Sequence, residues 1–127
     1  MTGYSGCSPQ PDGNGLGVRA QAAADRQRAE LTALYTETLQ DPSSDRTPRT
    51  RRAAAIALLV ADSNDAVEAL STSLNSGQPA QVQAVLGAMA TQDRLEPRLE
   101  NSALMAVDNC PPVNRPALGS LLARYSE

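Results

Sequence analysis

The chain has 127 residues and a formal net charge of −3; it contains no His, and all eleven of its basic residues are Arg. Without His, the commonest general base and the commonest metal ligand are both missing. Two cysteines, Cys7 and Cys110, are too few for a disulfide framework or a Cys-based zinc site, and no apolar run approaches the ~20 residues that span a bilayer.

Aromatic residues make up only 2% of the chain, with three Tyr and neither Phe nor Trp. A core must therefore come from Leu, Val, Ala and Met. Ala has the highest helix propensity, and runs of β-branched residues are absent, so the composition predicts an all-α fold. A pI near 4.9 without a dominating basic face argues against nucleic acid as the partner.

Residues 1–17 are rich in Gly, Pro, Ser and Asn and predict a flexible N-terminal tail or tether. Within them, Tyr4-Ser5-Gly6-Cys7 resembles the end of a bacterial lipobox, and the polar stretch after Cys7 resembles the tether that follows a lipidated Cys. This resemblance makes Cys7 the candidate lipidation site of a bacterial lipoprotein with an incomplete leader. It implies a membrane-anchored, periplasmic location if the true start lies upstream, and a cytoplasmic one otherwise. Membrane association is expected only through this anchor.

The helical domain is read as 18–127. Residues 18–40 predict an N-terminal helix with Leu31, Leu34, Tyr35 and Leu39 as its apolar stripe, ended by Pro42. Thr47-Pro48 is an N-cap followed by a Pro at the first helical position. The helix 47–61 that follows carries Arg49, Arg51 and Arg52 in its first turn, where cations oppose the macrodipole. Its inward stripe is read as Ala53, Ile56, Ala57 and Val60, widened by Leu58 and Leu59, so that Ile56→Asp would unfold the chain. Ser63 or Asn64 caps helix 64–75, with Val67, Leu70 and Leu74 inward, and Gly77 is available for a left-handed C-cap. Helix 78–91 buries Val82, Val85, Leu86 and Met89. Asp93 is read as the cap of helix 95–108, with Leu95, Leu99, Ala103 and Ala106 inward. Asn109-Cys110-Pro111-Pro112 stops it, and a sixth helix, 114–125, turns Leu118, Leu121, Leu122 and Tyr125 to one side.

Setting these segments against one another reveals a period. Arg52 to Leu58 aligns with Gln83 to Met89, and Val85 to Met89 aligns with Ala117 to Leu121, a repeat of about 31 residues built from helix pairs (47–75 and 78–108). The first helix of the best pair reads Arg52-Ala53-Ala54-Ala55-Ile56-Ala57-Leu58 and the second Ala66-Val67-Glu68-Ala69-Leu70. These motifs resemble the short HEAT-like repeats of phycobilin-lyase-type and other bacterial HEAT proteins. The resemblance implies a short right-handed α-solenoid of about six helices. The last helix is either the cap of the stack or the start of a further pair in a longer array.

The densest charge is Arg46, Arg49, Arg51 and Arg52, candidate contacts for phosphate or an acidic partner peptide. Their plainer reading is a solvated helix start whose Arg stems cover apolar neighbours. Asp62, Asp65 and Glu68 could ligate a hard cation but suit caps and first-turn acids better. Cys110 has no nearby base to activate it and reads as structural; a Cys7–Cys110 disulfide is the alternative in an exported protein. Gly13-Asn14-Gly15-Leu16-Gly17 lacks the strand and Lys of a phosphate loop and reads as linker. No catalytic set and no cofactor emerge. The expected function is a non-enzymatic scaffold whose concave face, lined by helices 64–75 and 95–108, binds a protein partner. The alternatives are a chromophore-lyase-type HEAT enzyme and a nucleic-acid-binding HEAT protein using the Arg46–Arg52 cluster.

Overall fold

The computed structural model describes residues 16–43 and 45–125. Among them are six α-helices, one 3-10 turn and no strand, as the Ala- and Leu-rich composition predicts. The chain divides into two units, residues 1–31 and residues 32–127. The described part of the first is helical, because α1 runs from Leu16 to Gln40 across the division. Within that first unit Asp25 accepts from Gln21 Nε2 at 2.9 Å and pairs with Arg28. Such pairs one turn apart support an exposed helix by about 0.2–0.5 kcal/mol each.

The second unit holds the end of α1 and helices α2 (Pro48–Ala61), α3 (Asn64–Leu74), α4 (Pro79–Met89), α5 (Pro97–Asn109) and α6 (Arg115–Tyr125). Local chemistry sets most of these boundaries. Thr47 accepts from the Thr50 N–H at 3.1 Å, with Pro48 next in line. Ser63, not Asn64, caps α3 by accepting from the Ala66 N–H at 3.1 Å. Asp62 ends α2 in the left-handed region (φ 57°), which a short polar side chain tolerates, and Gly77 follows α3 at φ 74°. Glu96, rather than Asp93, caps α5: its carboxylate accepts from the Arg98 N–H at 3.2 Å. Pro97 has no N–H to give and suits only the first helical position, so the cap must be the residue before it. Cys110 ends α5, and a 3-10 turn at Pro112–Asn114 leads into α6.

In this unit α4 packs between α2 and α6, while α3 packs against α5; α3 also touches α2 and α4, and α5 touches α6. The helices therefore lie in two layers, α2–α4–α6 and α3–α5. The main apolar positions of the sequence alignment are buried in each segment, whereas Ala53 and Ala84, Val85 and Ala117, and Ala88 and Ser120 differ in exposure. Ala55, Leu86 and Leu118 are all buried, as are Leu58, Met89 and Leu121 in the first layer and Leu70 and Leu99 in the second. Polar contacts also fasten neighbouring helices within each layer. Ser71 and Ser102 bond through their hydroxyls, and Asn75 Nδ2 donates to Ser102 O at 3.2 Å, fastening α3 to α5. Tyr125 OH donates to Met89 O at 3.2 Å, fastening α6 to the end of α4.

Two apolar stripes fall differently from the sequence expectation. In α2 the inward residues are Arg51, Ala54, Ala55 and Leu58, with Ile56 half-buried and Val60 74% exposed. That set has the ideal i, i+3, i+4, i+7 spacing, and it faces both α3 and α4; a charged residue at its head hid it. At the end of α1 Leu39 is fully buried and Tyr35 packs on the core, but Leu34 is 52% exposed.

Candidate functional site

The four clustered arginines have three different fates. Pro42 ends α1 and leaves its last carbonyls without helical donors. Arg51, only 4% exposed, supplies a donor to one of these and to the loop that follows: its guanidinium donates to Leu39 O (3.1 Å), and to Asp41 O (2.5 Å) and Ser43 O (2.6 Å) just beyond the helix. A cation that sits badly at the N-terminus of α2 is thereby delivered to the C-terminus of α1, where the macrodipole favours it. Arg51 is thus a buried latch between α1 and α2, and it has no surface to offer a partner. Arg46 donates to Asp41 Oδ2 at 3.1 Å. The Ser43 N–H first, and Arg46 second, hold the Asp41 carboxyl below its ordinary pKa.

Arg49 and Arg52 remain. Both are exposed, and among the described residues neither forms an ion pair or side-chain hydrogen bond. Both line a groove of about 560 Å³ on the α2–α4–α6 layer. Its floor is a strip of small residues along α4 and its C-cap, where Ala80, the buried Ala84, Gly87 and Ala90 recur at helical spacing; Ala117 and Ser120 of α6 form the far wall. The groove exists because these side chains are short. At Gly87 the Arg52 stem lies so close that a Cβ would sit 2.9 Å from Arg52 Cδ. The lining is mostly apolar, carries three guanidiniums and contains no carboxylate. The third guanidinium, Arg124, lies over the Tyr125 ring and donates to Ala90 O (2.7 Å) and Gln92 O (3.2 Å), closing the end of α4. Arg52 and Gln83, which align across the repeat, both face this groove.

The groove thus lies on the layer of first helices, whereas the sequence reading looked to the layer of second helices. Arg124 escaped that reading because it belongs to no charge cluster or motif, and Gly87 was read only as part of the repeat segment Gln83 to Met89. The signal for the groove was the small residues at 80, 84, 87 and 90, which read as ordinary helix-packing positions.

The other sequence candidates are placed as follows. Asp62 pairs with Arg98, which also donates from Nε to Glu96 Oε1 at 2.7 Å. That hydrogen bond, and then the Arg98 N–H, hold the Glu96 carboxyl below its ordinary value, while Glu96 and then Asp62 raise the pKa of Arg98. Asp65 lies in the first turn of α3. Among the described residues no three His, Cys, Asp or Glu side chains gather to hold a metal ion. Cys110 is buried at the end of α5. Cys7, the lipidation candidate, lies outside the described residues, as do most of the tail and of the 13–17 glycine stretch. No helix among the described residues is long and apolar enough to cross a membrane.

No protein-family model, curated protein or solved structure matches this chain.

Proposed function

We propose that this chain is a non-enzymatic interaction module made of short HEAT-like helix pairs, stacked as a right-handed α-solenoid, that holds an acidic protein segment in the α2–α4–α6 groove. The repeat reading is supported by the burial of the aligned apolar residues Ala55, Leu86 and Leu118, of Leu58, Met89 and Leu121, and of Leu70 and Leu99, and by the contacts of α2 with α4, of α4 with α6 and of α3 with α5. The observation that carries the binding role is the groove itself: a mostly apolar floor bordered by two guanidiniums with no described ion pair and by no carboxylate. An apolar floor supplies affinity through burial, and unpaired Arg at the border select for acidic partners and speed encounter. Arg also binds carboxylates with two parallel hydrogen bonds, which sets register as well as strength.

A photo-crosslinking residue placed at the exposed Gln83, within the groove, tests this in the native cell. The expected outcome is a discrete protein adduct that disappears when Arg49→Glu and Arg52→Glu are added. The same probe at Glu68, exposed on α3, is expected to give none. An adduct at Glu68 with none at Gln83 would place the interaction on the other layer and overturn the proposal.

A further inference from the structure

We infer that the groove accepts α5 of a second copy of this chain, so that the protein assembles head to tail. This rests on the groove being a docking surface, and it names the occupant. α5 is the one helix of the second layer with a pronounced apolar outer face: Leu104, Met105 and Val107 are 55%, 60% and 51% exposed. Glu100 and Asp108 lie on the same side of α5, one turn before and one turn after Leu104, both exposed and neither in an ion pair among the described residues.

The two surfaces match in chemistry and in length. One offers a floor of Ala and Gly between helices with Arg49 and Arg52 beside it; the other offers long, flexible Leu and Met side chains with two carboxylates beside them. At 1.5 Å rise per residue, Glu100 to Asp108 spans about 12 Å and Ala80 to Ala90 about 15 Å. Small residues on one side let a helix approach closely, and Met and Leu fill the irregular space that remains. Opposite charges then replace four separately solvated ones.

The surfaces lie on different layers of one molecule and differ from each other, so the contact is heterologous. A pair of copies keeps one unfilled groove and one unfilled α5 face between them, and assembly continues into an open chain or a closed ring. Lengthening the reach of electrostatic attraction at low salt favours it, and screening weakens it.

The test uses the whole protein, with mass measured by light scattering across concentration at low and high salt. Wild type is expected to grow in mass with concentration, less so at high salt. Arg49→Glu/Arg52→Glu disables the groove and Leu104→Asp/Met105→Asp disables the α5 face; all four positions are exposed, and circular dichroism checks that each variant stays folded. Each variant alone is expected to remain a monomer. Mixed in equal amounts they are expected to form a one-to-one dimer and nothing larger, because one retains the α5 face and the other retains the groove. A mixture that stays monomeric, or a wild type that is monomeric at every concentration, overturns the head-to-tail assembly. In that event a Gln83 adduct of foreign mass still upholds the groove as a docking surface, and the absence of any adduct removes both readings.

Discussion

Replacing Arg51 by Met removes the latch between α1 and α2 while keeping a stem of similar shape. Three carbonyl oxygens lose a charged donor. Hydrogen bonds to charged groups contribute about 1.5–3 kcal/mol each in net terms. The three do not add, since Asp41 O and Ser43 O lie in partly exposed loop and can turn to water. Leu39 O is buried with its residue and cannot, and stranding a buried acceptor costs about 1–3 kcal/mol. Relief of burying the guanidinium offsets some of this. We therefore expect Arg51→Met to cost about 2–4 kcal/mol, built from the stranded acceptor plus part of the loop bonds. With a urea slope of about 2 kcal/mol per molar, the middle of the usual range, the midpoint followed by helical circular dichroism falls by about 1–2 M. Arg51→Lys keeps the charge but not the planar fork, and is expected to fall between wild type and Arg51→Met. Arg49→Met, two residues away and exposed, is expected to stay within about 0.5 kcal/mol of wild type. Equal midpoints for Arg49→Met and Arg51→Met would refute the latch.

Three further outcomes are expected. Leu58→Ala, at a fully buried position, should cost about 2–5 kcal/mol in urea unfolding, whereas Val60→Ser, at a position 74% exposed, should cost less than about 0.5 kcal/mol; a reversed order would restore the stripe read from sequence. Acid should destabilise the fold through Asp41 and Glu96. Both carboxyls are held below their ordinary values, so their stabilisation is complete above the ordinary carboxylate pKa and is lost as pH falls through the lowered one. Glu96→Gln should accordingly flatten the drop in melting temperature on acidification, and an unchanged slope would contradict this. Gly87→Ala gains helix propensity worth up to about 1 kcal/mol and displaces only the flexible Arg52 stem, so the melting temperature should hold or rise while the groove becomes shallower; a clear loss of stability would mean that Arg52 is pinned over α4.

Helix punctuation was legible in the sequence because it is local. Thr47-Pro48, Ser63, Gly77 and Pro79 each act on backbone groups within a few residues, and each stands where its chemistry demands. The large apolar residues Leu58, Leu70, Met89, Leu99, Leu118 and Leu121 were also legible as core, since a large apolar side chain at helical spacing is best placed inside. What was not legible depends on distant partners. Which face of α2 turns inward is decided by α3 and α4 together, and an Arg at the head of that face looked like surface. Arg51 finds its acceptors 8–12 residues back along the chain, and Tyr125 finds its own 33–36 residues back. The groove was the hardest feature to foresee, because it is made by side chains that stop at Cβ or have none.

Occupancy of that groove can be read directly, since the chain contains no Trp. A single indole introduced by Gln83→Trp reports on the floor between α2 and α6 without interference. If the groove docks an acidic helix face, emission should shift to the blue and become resistant to acrylamide quenching as concentration rises at low salt. Both effects should vanish on adding Arg49→Glu and Arg52→Glu. An indole that stays red-shifted and fully quenchable throughout, while the protein's mass grows with concentration, would show that association runs through another surface and would contradict the account.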